Sequence, residues 1–301
     1  MLHFSDDEIR QSEGFKNVNL GNVIAAAYKS DRKSPFVSQS DHEYLEKYRV
    51  KSFEVQVGLH ELLGHGSGKL LRKESDGTLN YPADLKNPLD NQPVSKMYEP
   101  GETYDSKFTS LGSAYEECRA ECVGLFLSTD QDVLKIFGIT ESDESASIVY
   151  TNWLSLCHAA INGVAMFSPS SDEWKQAHSQ ARFVILSVLV EAGENFVSVK
   201  EVTGEDGKPD LLFSMDKSKV ESVGKPAIGQ FLKKLQVYKS LGDFETAKEL
   251  FDKHSEVNEQ WRSWREIVIS RRQARKVHVQ ANTVIKGKII LVGEKWQSLI
   301  K

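Results

Sequence analysis

Cysteine is scarce. Cys118, Cys122 and Cys157 are the three in 301 residues, too few for a disulfide framework in a chain of this size. That usage points to a reducing compartment. With no basic segment leading into an apolar run at the amino terminus, the expected location is the cytosol. Long apolar runs are also missing: no window approaches the roughly 18 residues that a membrane span needs. Nor is there a positive field, because 38 Lys and Arg stand against 43 Asp and Glu for a formal net charge of -5. Neither nucleic acid nor an anionic membrane is therefore favoured as a partner. Repeats and low-complexity segments are absent. An apolar fraction of 40% is enough to bury a sizeable core in one large or two ordinary domains.

Proline is sparse, and four of the eight (Pro82, Pro88, Pro93, Pro100) fall in one polar stretch from Arg72 to Lys107. That stretch reads as a long ordered loop. On either side, Phe53 to Gly64 and Ser113 to Leu127 carry helical patterns rich in good helix formers. Ser142 to Phe167 predicts a long helix closed by Pro169. Ser170, with Glu173 three residues later, reads as a capping box opening a helix that stops at Gly193. FVSVKEV and LLFSM, separated by a glycine-containing turn, predict a hairpin. Helices are expected again over Pro226 to Ser240, Phe244 to His254 and Asn258 to Arg275, before an alternating, β-branched tail, KVHVQANTVIKGKIILVG. The expected fold class is mainly α, with a small β-hairpin and a β-rich carboxyl-terminal tail.

The chemistry concentrates in VGLHELLGHGSGKL. His60, Glu61 and His65 form H-E-x-x-x-H, where common zinc peptidases use H-E-x-x-H with histidines about 40° apart on a helix. A spacing of five puts them about 140° apart on an ideal α-helix. Sharing one ion then requires a locally widened turn, such as a π-bulge. Gly64 is placed to tolerate such a distortion. Catalytic zinc needs a third protein ligand, and in YEECRAE the carboxylates Glu117 and Glu121 lie four apart on one helical face. One can ligate while the other accepts the N–H of a ligand histidine. Singly, each motif also fits an ordinary polar face or a surface ion pair around Arg119. Two imidazoles in an otherwise apolar helix, however, would be costly to bury without partners. Cys118 and Cys122 read as small core residues.

HELLGH (His60 to His65) together with EECRAE (Glu116 to Glu121) resembles the paired signature of the dipeptidyl peptidase III metallopeptidases. The likeness extends through EGFKNVNLGN, PGETYDSKF, QAHSQARFVILSVLVEAGE and SVGKPAIGQFLKKLQV, nearly the whole chain. The resemblance implies a helical zinc lobe facing a second lobe across a cleft, in a cytosolic exopeptidase that removes dipeptides from short peptides. It implies one Zn2+ per chain on His60, His65 and Glu117, with Glu61 working on the water and Glu116 and Glu121 orienting the histidines. It also implies that His178 stabilises the oxyanion, with Arg182 one turn later, and that Arg275 and Lys276 line the cleft for the substrate's carboxylate end. Residues 30-275 would form the catalytic lobe, while 1-29 and 276-301 would belong to a second lobe otherwise supplied by the longer family members. A chain without that lobe could instead be a catalytically incomplete zinc-binding fragment or pseudoenzyme that binds peptides. The ETGE sequence by which some members dock a Kelch-type regulator is missing, so that partner is not expected. A monomer is.

Overall fold

The computed structural model describes residues 34–272 and four short strands outside that range. It divides into two compact units, Met1–Arg271 and Arg272–Lys301. The first begins with β1 (Leu2–His3), which pairs antiparallel with β2 (Asn17–Val18). Helix α1 (Gln39–Leu59) is capped by Ser38, whose hydroxyl accepts from the Asp41 backbone N–H. It runs directly into a π-helix over His60–His65. The widened turn that the histidine spacing requires is therefore present.

The proline-rich stretch is a loop held by main-chain bonds instead of regular elements. Tyr98 and Leu71 bond across it, and Leu71 also donates to the Ser240 carbonyl at 2.8 Å. The short α2 (Tyr104–Phe108) ends it. Helix α3 (Gly112–Leu127) follows, buried on almost every side, with Tyr115, Cys118, Arg119, Ala120, Cys122 and Leu125 fully enclosed. A helix surrounded in this way has no solvent face to give it amphipathic periodicity. Cys118 and Cys122 are core residues, as their size suggested.

After α4 (Gln131–Ile136) comes α5 (Ser142–Gly163), close to the expected long helix. The expected capping box at Ser170 and Glu173 is not formed. Instead β3 (Phe167–Ser168) pairs with β4 (Glu173–Trp174), and Ser170 sits in the turn. The helix starts later, as α6 (Ala177–Glu191), with Gln176 as its cap. The aromatic ring of Trp174 explains the difference: it packs on Phe167 and Phe183, so the segment is held as a ribbon against the core. Strands β5 (Val197–Thr203) and β6 (Pro209–Met215) make the expected hairpin. Helices α7 (Lys225–Leu241), α8 (Phe244–Ser255) and α9 (Glu259–Ser270) complete the unit. The second unit holds β7 (Thr283–Ile285) paired antiparallel with β8 (Ile289–Leu291).

Helix α3 is the axis of the first unit. It packs against α1, the π-helix, α6 and α7, while α5 lies against both α1 and α6. Around it Trp153, Phe183, Phe196, Phe213 and Phe251 fill a single apolar core. Because the π-helix, α3 and the start of α6 adjoin, their polar side chains are brought to one place at the edge of that core.

Candidate metal centre

In a π-helix the backbone bonds run from residue i to i+5, which stacks residues five apart. His60 and His65 accordingly meet edge to face, with ring centroids 4.7 Å apart. Gly64 serves this turn differently from the expectation. Its φ is not in the left-handed region; what matters is size, since a Cβ there would lie 2.8 Å from both Cα and Cβ of Ala120. The glycine lets the π-helix touch α3. Nor is the turn apolar and buried throughout: Leu62 and Leu63 are 49% and 45% exposed, and His65 is half-buried.

Glu117 rises from α3 between the two histidines. Its Oε2 lies 3.2 Å from His60 Nε2 and 3.8 Å from His65 Nε2. His178, in the first turn of α6, brings its Nε2 to 3.2 Å from the same oxygen. Yet that buried oxygen has no hydrogen-bond partner, so these ring nitrogens surround it without aiming an N–H at it. One ligand atom from each of His60, His65 and Glu117 fits within a sphere of contact in which all separations are under 4.8 Å. Zinc bound tetrahedrally by nitrogen and oxygen at about 2.0–2.2 Å holds neighbouring donors about 3.3–3.6 Å apart. The donor types and spacing fit such an ion, and an orphaned carboxylate oxygen among imidazoles is what a metal would satisfy.

The remaining nitrogens of both rings face carboxylates. His65 Nδ1 lies 3.2 Å from Glu116 Oε1, and His60 Nδ1 lies 3.5 Å from Glu121 Oε2, long for a hydrogen bond. Each carboxylate is itself held. Glu116 receives Arg119 at 2.6 and 3.0 Å and Lys239 at 2.7 Å. Glu121 receives Arg182 at 2.8 Å and the Gln56 amide at 2.7 Å. Burial alone would push both acids upward, but their donors prevail and hold them well below the usual carboxylate range. Burial also works against a charged His60, but Glu117 and Glu121 outweigh it and carry the ring up to about 10. Glu117 is lowered too, burial being overcome by His60 and His178.

His178 has a defined tautomer. Gln176 caps α6 by accepting the Ser179 N–H through its carbonyl oxygen, so its amide nitrogen donates to His178 Nδ1 at 3.1 Å. The proton then sits on Nε2. Glu61 is half-buried and, with His60, His178, Arg182 and Phe53, lines a cleft of about 260 Å³ beside the centre. Arg182 both lines this cleft and grips Glu121. Arg275 and Lys276 lie outside the described residues. Sequence reasoning missed Arg119, Lys239, Gln56 and Asn152 as supports of the centre. Only Arg119, within the motif, carried any local signal.

The family model described as peptidase family M49 matches residues 5–299. Among curated proteins the chain is similar to dipeptidyl peptidase 3 of Nematostella vectensis, 48% identical over 289 residues that make up 96% of this chain and 39% of that protein. It is likewise 45% identical to dipeptidyl peptidase 3 of Homo sapiens, over 93% of this chain and 39% of the relative. The chain thus spans about two fifths of the length of these curated relatives. Among solved structures it resembles that of DPP III from Caldithrix abyssi, with a TM-score of 0.57 at 16% identity, over 89% of this chain and 42% of the other. That likeness speaks for the fold alone, a mainly helical lobe.

Proposed function

The chain belongs to peptidase family M49, and from that premise we propose that it is the metal-bearing part of a zinc exopeptidase releasing dipeptides from the amino terminus of short peptides. The observation that carries this reading is Glu117 Oε2, buried without a hydrogen bond while His60 and His65 nitrogens stand 3.2 and 3.8 Å away. His60, His65 and Glu117 would hold one zinc ion. When bound there, zinc supplies Lewis acidity toward water and a scissile carbonyl.

The chain's own groups do the rest. Glu61 takes a proton from water on its carboxylate and returns it to the leaving amine nitrogen. His178 offers its Nε2–H to the carbonyl oxygen as charge develops there. Glu116 and Glu121 accept the Nδ1–H groups of His65 and His60, which fixes the ring planes and raises their basicity. Arg275 and Lys276 supply positive charge for the peptide's carboxylate end, and Arg182, on the cleft wall, contacts the substrate while it holds Glu121. In this reading residues 30-275 form the catalytic lobe and the flanking segments belong with a second lobe. The three free cysteines, all buried, suit a cytosolic setting. Among the described residues no helix is long and apolar enough to cross a membrane.

A second reading has a specific observation behind it. Because the chain matches only 39% of the first relatives' length, it could bind zinc and peptides without turning them over. One experiment separates the two: zinc content by elemental analysis, alongside hydrolysis of a diarginyl fluorogenic amide, on the chain and its Glu61→Gln variant. Stoichiometric zinc with Glu61-dependent dipeptide release supports the peptidase. Zinc without turnover supports the binding fragment, and absence of zinc sinks both.

A further inference from the structure

Glu121 Oε2 faces two groups at once, His60 Nδ1 at 3.5 Å and the amide nitrogen of Gln56 at 2.7 Å. An ionised carboxylate only accepts hydrogen bonds. Gln56 must therefore present its NH2 to Glu121, and it donates as well to the Glu121 main-chain carbonyl at 3.2 Å. Its own oxygen then points away and needs a donor, which Asn152 on α5 provides at 2.8 Å. All three side chains are buried, with Gln56, Asn152 and Glu121 at 7%, 3% and 3% exposure, so no solvent competes for either end of the amide. A reversed Gln56 amide would set its oxygen against the carboxylate.

Space for this arrangement is made on α3. A Cβ at Gly124 would lie 2.5 Å from Gln56 Nε2 and 2.7 Å from its Oε1. Gly124 is thus the seat of the amide, one turn beyond Glu121 on the same helix. The other oxygen of Glu121 is held by Arg182. Consequently the oxygen that meets His60 is located by Gln56, and the orientation of Gln56 is located by Asn152 and Gly124.

We propose that Gln56 and Asn152 are positioning residues of the metal centre, acting through Glu121 to set the plane and tautomer of His60, with Gly124 as the space that admits them. This rests on the zinc reading above. His65 provides an internal control, because its carboxylate, Glu116, is held by Arg119 and Lys239 and, among the described residues, by no member of this relay.

The test uses the full chain loaded with Co2+ in place of zinc, in which the N–H protons of ligand imidazoles give separate, strongly shifted proton resonances. Asn152→Leu is the informative change: close to asparagine in size, it offers no N–H, so the Gln56 oxygen loses its donor and the amide loses its fixed orientation. The expected result is that one of two imidazole N–H resonances moves or vanishes while the other stays. Zinc affinity, measured by chelator competition, should fall roughly tenfold or more, as for other groups that support metal ligands. Gly124→Ala should act in the same direction although alanine favours a helix by about 1 kcal/mol over glycine, so it remains informative if Asn152→Leu does not fold. Two unmoved resonances with wild-type zinc affinity in a folded variant would overturn the proposal, as would equal loss of both, which denotes general loosening. A wild-type chain that takes up no cobalt would instead bring down the metal reading beneath it.

Discussion

At the scale of single residues, Arg119 is the most constrained side chain near the centre. It is fully buried and engages all five of its N–H groups: two with Glu116, and one each with Ser67 Oγ, Gln236 Oε1 and the Gly64 carbonyl. An ammonium has three donors on a flexible stem and cannot reproduce this fork. Arg119→Lys is expected to cost about 3 kcal/mol, in the range for breaking a buried ionic network, visible as a lowered thermal midpoint. Glu117→Gln should lose zinc, whereas Glu61→Gln should keep it and lose turnover; equal zinc loss in the two would reverse their assigned roles. The spacing of His60, Glu61 and His65 was legible because one segment carries it. Glu117 and Glu121 could not be told apart by periodicity, since both lie on one face of α3. The fold separates them, setting Glu117 among the Nε2 atoms and Glu121 against Nδ1 of His60. Gln56 and Asn152 were invisible because 96 residues separate them in the chain.

At the scale of elements, the π-helix depends on its approach to α3. Gly64→Ala would press a methyl group into Ala120, whose Cβ is 2.8 Å from the new atom. Overpacking of this kind typically costs about 1–3 kcal/mol. Pairing it with Ala120→Gly should recover part of that loss in chemical denaturation, beyond the sum of the single changes; strict additivity would argue that the clash is absorbed elsewhere. Most helices were legible because caps and stops are local, as in α8, where the Asp243 side chain accepts from Thr246, and α7, which ends at Gly242 in the left-handed conformation. The start of α6 was not. Ser170-x-x-Glu173 satisfies the local rule, but Trp174 finds more to bury as part of a ribbon between Phe167 and Phe183. The expected continuation of α9 to Arg275 falls partly outside the described residues.

At the scale of the molecule, the ligands proposed for zinc join the π-helix to α3, so the ion would stabilise the folded state by mass action. At a free concentration about 1,000 times its Kd the gain is about 4 kcal/mol, and a chelator should lower the thermal midpoint accordingly; no shift would argue against a bound ion. Acid should destabilise the fold through a second, separate group. His158, whose Nε2–H donates to the Pro35 carbonyl at 3.0 Å, is pushed down from 6.5 to about 4 by burial and by Arg49. Its neutral form is the folded one, so its contribution is complete above pH 6.5. As pH falls the unfolded chain takes up the proton first, and roughly 2–3 kcal/mol is lost by pH 4. Melting curves of the chain and of His158→Gln should converge over that window, and parallel curves would exclude the effect.

The enclosure of α3 bears on kinetics as well. Amides of a helix buried on almost every side exchange with solvent only in large-scale opening, whereas a turn bearing exposed leucines can open by itself. Glu117 is anchored on the former; His60 and His65 are borne by the latter, next to Leu62 and Leu63. An ion held as proposed would therefore have its off-rate governed by one turn of backbone, and ageing or mild heat would strip it well before the lobe itself comes apart.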